Sequence, residues 1–239
     1  MTMRPVQRGA SPQTTDFADY TDAKTELVSR LGRYCSYCER RVPTNLAVEH
    51  IQPKGLAAYR RLAGRWDNFL LGCVNCNSTK LNKDVVLADV LLPDRDNTFA
   101  ALTYSADGQI DSDGPMATRL LSLVGLDKPI SLALDANGKQ VALDRVAQRM
   151  EVWGKAESAK MDIDAQPDNS ILRQYVVYLA QAEGFFSIWM TVFANDIDMR
   201  QRLIDAFPGT RGSGCFDPVS TQPVCPALNP DQLQDGAKY

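Results

Sequence analysis

The chain has 239 residues, 44% of them hydrophobic, which is ordinary for a compact soluble protein with a sizeable core. A net charge of −3 would steer the molecule as a whole away from nucleic acid, so a polyanion partner requires a local concentration of basic residues. There is one histidine, and any mechanism that needs an imidazole must use it.

In chain order, the polar start (residues 1–15) lacks the apolar stretch of a secretion signal, so the expectation is a reducing cytoplasm, where paired thiols favour metal over disulfide. Residues 21–31 carry Ala23, Leu27 and Leu31 at helical spacing and meet a C-cap at Gly32. Two CxxC pairs follow, Cys35/Cys38 and Cys73/Cys76, with the lone His50 between them. Residues 47–51 read as a short strand closed by Pro53, and the pleat sends Glu49 and His50 to opposite faces. For both to serve one centre, the strand end must twist or bulge. A helix is expected to begin after Asn77, and a small hairpin over Leu102, Thr103 and Tyr104, turning at Asp107-Gly108 towards Ile110. Helices are predicted over 116–124, 144–160, 170–194 with a weakness at Gly184, and 199–207. The stretch 175–194 is interrupted by Gln181, Glu183 and Gly184, which suits a buried helix better than a membrane span. The tail from Gly209, rich in Pro, Gly and Ser, is expected to wrap loosely or be disordered, with Cys215 and Cys225 as ordinary thiols rather than a second metal site.

Four thiolates in two CxxC knuckles suit a tetrahedral Zn²⁺, and a redox pair is the weaker reading because such motifs come singly. The 34 residues between Cys38 and Cys73 exceed what a plain zinc ribbon needs. Charge is segregated around the pairs. From Arg30 to Lys83 ten basic residues face Glu39, Glu49 and Asp67, a local +7 that leaves −10 on the remainder. Arg60, Arg61 and Arg65 are the preferred phosphate contacts, with Lys54 and Lys80 beside them; a solvated charged face is the bland alternative.

The strings CSYCE, VEHIQPKG, WDNFLLGC and CNSTK, in that order, resemble the HNH endonucleases. The resemblance covers residues 35–80 and implies an α+β protein: a ββα-metal (His-Me finger) nuclease core stapled by a four-cysteine zinc, followed by a mostly α-helical C-terminal region. It gives Glu49 the place of the acidic metal ligand, His50 that of the general base and Asn68 that of the middle Asn. Asn77 stands where many members have a final His, an HNN variant. Together with the periodicity and composition, this divides the chain into an N-terminal arm and helix (1–33), the nuclease core (34–84), a mostly helical region with a hairpin, expected to dock a partner (85–208), and an irregular tail (209–239).

The residue types fit that chemistry. Phosphodiester hydrolysis needs a deprotonated water and a cation to absorb developing charge. An imidazole with a pKa of about 6.5 is mostly neutral at cellular pH and can take the water proton. Glu49 and Asn77 offer hard oxygen ligands suited to Mg²⁺ or Mn²⁺, and Asn68 can orient the His50 ring or brace its loop. The order of later strings, LLPDRDN, YSADGQI and LLSLVGLDKP, is similar to PtuB-like proteins of Septu and some retron defence systems, which implies an anti-phage DNA nuclease working beside an ABC-type ATPase. Three alternatives stay open: a stand-alone restriction or homing-type nuclease, a zinc-dependent nucleic-acid binding module without cleavage, and a structural adaptor with a vestigial centre.

Overall fold

The computed structural model describes residues 3–127 and 143–239. It combines helices with two small antiparallel sheets around two adjoining apolar cores. Among the described residues no helix is long and apolar enough to cross a membrane.

The first core gathers the N-terminal arm, the cysteine knuckles and the sheet between them. A 3-10 turn, Tyr20–Ala23, is started by the Asp19 carboxylate accepting from Thr21 N–H, and helix α1, Lys24–Leu31, continues it. Ala23, Leu27 and Leu31 are fully buried, as their spacing anticipates, and α1 packs on strand β2. The helix stops at Gly32, where φ is +76° and a Cβ would lie 2.7 Å from the Tyr34 ring, so only glycine turns the chain tightly enough into the first knuckle. Strand β1, Ala47–His50, pairs antiparallel with β2, Phe69–Gly72, and every residue of β2 is buried. Helix α2, Val74–Lys80, begins before Asn77 rather than after it. The cause is a sulfur cap: the Cys73 Sγ accepts from Cys76 N–H at 3.5 Å, which starts the helix inside the second knuckle.

Helix α3, Thr98–Ala101, leads into the expected hairpin of β3, Leu102–Tyr104, and β4, Ile110–Ser112. Helix α4, Gly114–Val124, closes the first core against α2; Lys128 and Pro129, the end of the LLSLVGLDKP string, lie outside the described residues. The second core is helical: α5, Leu143–Ala165; α6, Ser170–Glu183; α7, Phe186–Val192; and α8, Ile197–Ala206. The helix expected over 170–194 is two, parted at Gly184, where the sequence placed its weakness. At Gly184, with φ +81°, a Cβ would sit 2.6 Å from Arg41 N and 2.7 Å from Glu39 O, because the first knuckle's backbone crosses the helix path there. The tail is ordered as well as wrapped. Ala237 N–H donates to Arg95 O at 2.8 Å, Asn97 N–H to Tyr239 O at 3.0 Å and the Asn97 amide to Cys215 O at 2.8 Å, so the PDRDN loop supplies the partners that keep the tail from disorder.

The two cores meet at the first knuckle. Glu39 O accepts from Phe185 N–H at 3.0 Å, and its buried carboxylate accepts from Ser187 N–H at 3.0 Å and from the Ser187 hydroxyl, capping the start of α7. Burial pushes the Glu39 carboxyl up to about 7 against the pull of those bonds. Tyr34 donates from its hydroxyl to Gln181 O at 2.9 Å.

Candidate functional site

The four knuckle cysteines converge. Their Sγ atoms lie within 4.8 Å of one another, all four residues are buried, and Cys38 and Cys73 are 3.7 Å apart at sulfur. A tetrahedron with Zn–S bonds of about 2.3 Å has S···S edges of about 3.8 Å, so the donor set and its size fit Zn²⁺. The sulfurs cannot all be charged without a cation: burial pushes the Cys35 thiol up, while hydrogen bonds from Cys35 and Cys38 pull Cys73 down. Arg40, half-buried, is held above its ordinary value despite burial by the charge of Cys38 and a hydrogen bond to Cys73. Cys215 and Cys225 take no part in this cluster.

Next to the cluster the ladder runs in register to His50↔Phe69. It contains no bulge of the kind the sequence reading calls for, and the pleat therefore separates Glu49 from His50. Each finds its own surroundings. On the α2 side, a Cβ on Gly72 would come within 3.1 Å of Glu49 Cβ and 3.8 Å of Asn77 Cβ, so the glycine leaves room between the stems of the two side chains. The Asn77 side chain is half-buried and has no hydrogen-bond partner among the described residues. A carboxylate and an amide oxygen are the donor types that a hard divalent ion takes. The Glu49 carboxylate also forms an ion pair with Lys80 Nζ at 2.8 Å. Burial pushes its pKa up, opposed by that ammonium.

On the other side the His50 ring packs edge-on against Tyr20 and Phe69, with centroids 4.8 and 5.2 Å away. Its Nε2 lies 2.9 Å from Ala63 O. A carbonyl can only accept, so Nε2 carries the hydrogen and the neutral ring presents Nδ1 as its basic nitrogen. Burial lowers the His50 pKa, the bond to Ala63 O opposes that, and the charges of Lys54 and Lys80 add to the lowering. The Ala63 loop is itself held by Asn68. This buried amide accepts Gln52 N–H at 2.8 Å and donates to Gln52 O at 3.0 Å and Leu62 O at 3.3 Å, one residue before the carbonyl that fastens the imidazole.

Of the basic residues, Arg60 and Arg61 lie exposed on a 3-10 turn, Ala57–Leu62, and neither forms an ion pair among the described residues. Lys54 is exposed, with Nζ 3.5 Å from the centre of the Tyr20 ring. Arg65 is exposed but shared with Asp67 at 3.2 Å and Asp16 at 3.6 Å. Lys80 corrects its expected role: with its side chain 1% exposed and turned to Glu49 and His50 O, it cannot reach a phosphate from outside. Sequence reasoning missed Lys80 as an interior residue, Tyr20 as a ring neighbour and Ala63 as the imidazole's anchor. The spacing of Lys80 three residues after Asn77 on a helix could have placed the two on one face; a backbone carbonyl leaves no sequence signal.

Residues 35–83 match the family model of the HNH endonuclease. That match supports the HNH family and nuclease chemistry for this segment, and it encloses both knuckles, Glu49, His50, Asn68 and Asn77. None of the curated proteins compared matches the chain.

Proposed function

We propose that the protein is a metal-dependent endonuclease that hydrolyses DNA phosphodiester bonds, with His50 as general base. The observation that carries this reading is the fastening of the chain's one imidazole inside the HNH segment, one nitrogen engaged by Ala63 O and the other left as a base. Burial favours the neutral ring, the form that can take a proton from water at Nδ1. Glu49 and Asn77 would hold a divalent ion, Mg²⁺ or Mn²⁺, which when bound supplies positive charge for the phosphate oxygens. Asn68 keeps the Ala63 loop, and through it the ring, in place. Arg60, Arg61 and Lys54, all exposed, supply positive charge for the phosphates, with Arg65 a weaker contributor. The four cysteines would hold Zn²⁺ as a structural clamp.

Within that reading the helical region is the partner surface. Met161, Ile171, Tyr175 and Tyr178 are exposed, large and apolar on α5 and α6, as a docking face requires. Similarity of the sequence strings to PtuB-like proteins supports an ABC-type ATPase as the partner and anti-phage defence as the setting. Co-purification with such an ATPase, lost on Tyr175→Glu, tests it.

For the activity itself, zinc-loaded protein with Mg²⁺ or Mn²⁺ should nick plasmid DNA, and His50→Ala should abolish nicking while retaining DNA binding. Nicking at wild-type rate by His50→Ala ends the proposal. DNA retardation without cleavage by the wild-type chain favours the binding-module alternative.

A further inference from the structure

The HNH segment buries a positive charge that proton abstraction does not call for. Lys80 Nζ donates to Glu49 Oε1 at 2.8 Å and to His50 O at 2.7 Å, and the Lys80 and Glu49 side chains are 1% and 5% exposed. The Tyr37 hydroxyl donates to the same Glu49 oxygen at 3.5 Å. Lys80 thus spans the strand that separates the two faces, bonded to the carboxylate of one residue and the backbone of the next. Withdrawing it to solvent would leave a buried carboxylate without its cation, so the ammonium is a fixed part of the site.

Its charge changes what the site can hold. Glu49 and Lys80 sum to zero, and Asn77 adds none. A dication approaching Glu49 and Asn77 meets a neutral site with an ammonium already on the shared carboxylate, and in a poorly solvated interior that repulsion is large. A phosphodiester beside the same ligands brings one negative charge and one oxygen donor.

Building on the nuclease reading above, we propose that Lys80 is a positioning residue that cancels the charge of Glu49 and so makes divalent-ion binding conditional on a bound phosphodiester. Ion and nucleic acid then tighten each other by the same factor, as linkage demands. The free protein holds Glu49 oriented and neutralised, and the ion enters with the substrate.

The test uses the full zinc-loaded chain carrying His50→Ala to prevent turnover, which leaves the backbone carbonyl bonded by Lys80 intact. Mn²⁺ binding is followed by the electron paramagnetic resonance of the free ion, with and without a short DNA duplex, and DNA alone is the blank. With Lys80 present, Mn²⁺ should bind at least about tenfold more tightly when the duplex is bound. Lys80→Met should bind Mn²⁺ at least about tenfold more tightly without DNA, and the effect of DNA should shrink. Equal Mn²⁺ affinity in the two chains overturns the proposal and leaves Lys80 a strut between α2 and β1. If Lys80→Met does not fold, the comparison within the Lys80 chain decides: an affinity for Mn²⁺ that DNA does not change overturns it equally. Plasmid nicking by the wild-type chain without this coupling would leave the nuclease reading standing and remove the proposal. Coupling without nicking would do the reverse.

Discussion

Replacing Asn68 by alanine separates two roles that a middle Asn could play. The side chain is buried and makes three hydrogen bonds, to Gln52 N–H, Gln52 O and Leu62 O. Each neutral bond contributes a net of about 1 kcal/mol, and the Gln52 amide left without a partner adds to the loss, so the variant should be destabilised by about 2–4 kcal/mol. Urea unfolding of zinc-loaded protein, followed by tryptophan fluorescence, reads this as a lower midpoint at unchanged slope. Because Leu62 precedes the carbonyl that holds His50 Nε2, the ring should also lose its fixed tautomer, and nicking should fall by at least about tenfold at temperatures where the variant is still folded. Divalent-ion affinity measured with DNA bound should stay the same, since Asn68 faces the loop and not Glu49. A variant of wild-type stability with weakened ion binding would refute this account and make Asn68 a ligand.

Chelation of zinc should unfold the segment around the knuckles, because structural Zn²⁺ contributes on the order of 10 kcal/mol in small domains; metal analysis should return one zinc per chain, and Cys38→Ser should lower both zinc content and melting temperature. Arg60→Ala and Arg61→Ala should each weaken DNA binding and reduce the salt slope by about one, whereas Arg65→Ala should do less because Asp67 and Asp16 already share its charge; filter binding over a salt series measures both. For pH, burial depresses the His50 pKa, so the folded chain favours the neutral ring. The associated stability is present above about 6.5, the unfolded value, and is lost as pH falls through the lower folded value; the acid limb of the nicking profile should likewise lie below about 6.5, and a midpoint above it would contradict the burial argument.

Much of this was readable from residues because the signals were covalent or periodic. Two equal CxxC spacings announced the sulfur cluster, Ala23, Leu27 and Leu31 announced a buried helix face, and Asp107-Gly108 announced the hairpin turn. What escaped depends on contacts between distant segments. The weak point at Gly184 was legible from its glycine, but its cause, the passage of Glu39–Arg41 across the helix path, was not. The tail looked loose because its composition is rich in turn formers, yet its backbone is paired by residues 95–97, more than a hundred positions earlier. Lys80 was grouped with the surface cations because charge alone cannot tell an interior ammonium from an exposed one. The side-chain alternation of β1 was legible; of the two ways named for bringing both residues to one centre, a twist or a bulge, the regular ladder contains no bulge, and a lysine reaching both residues stands there.

The crossing at Glu39 has a consequence for anyone wishing to transplant the HNH-matching segment. Cut out at its sequence boundaries, that segment would carry away a carboxylate whose donors belong to Ser187 and a tyrosine hydroxyl whose acceptor is Gln181, leaving raw polar groups on both pieces. A chimera built from the HNH-matching segment therefore has to take the helical half along, or rewrite residues 34 and 39 for life in water.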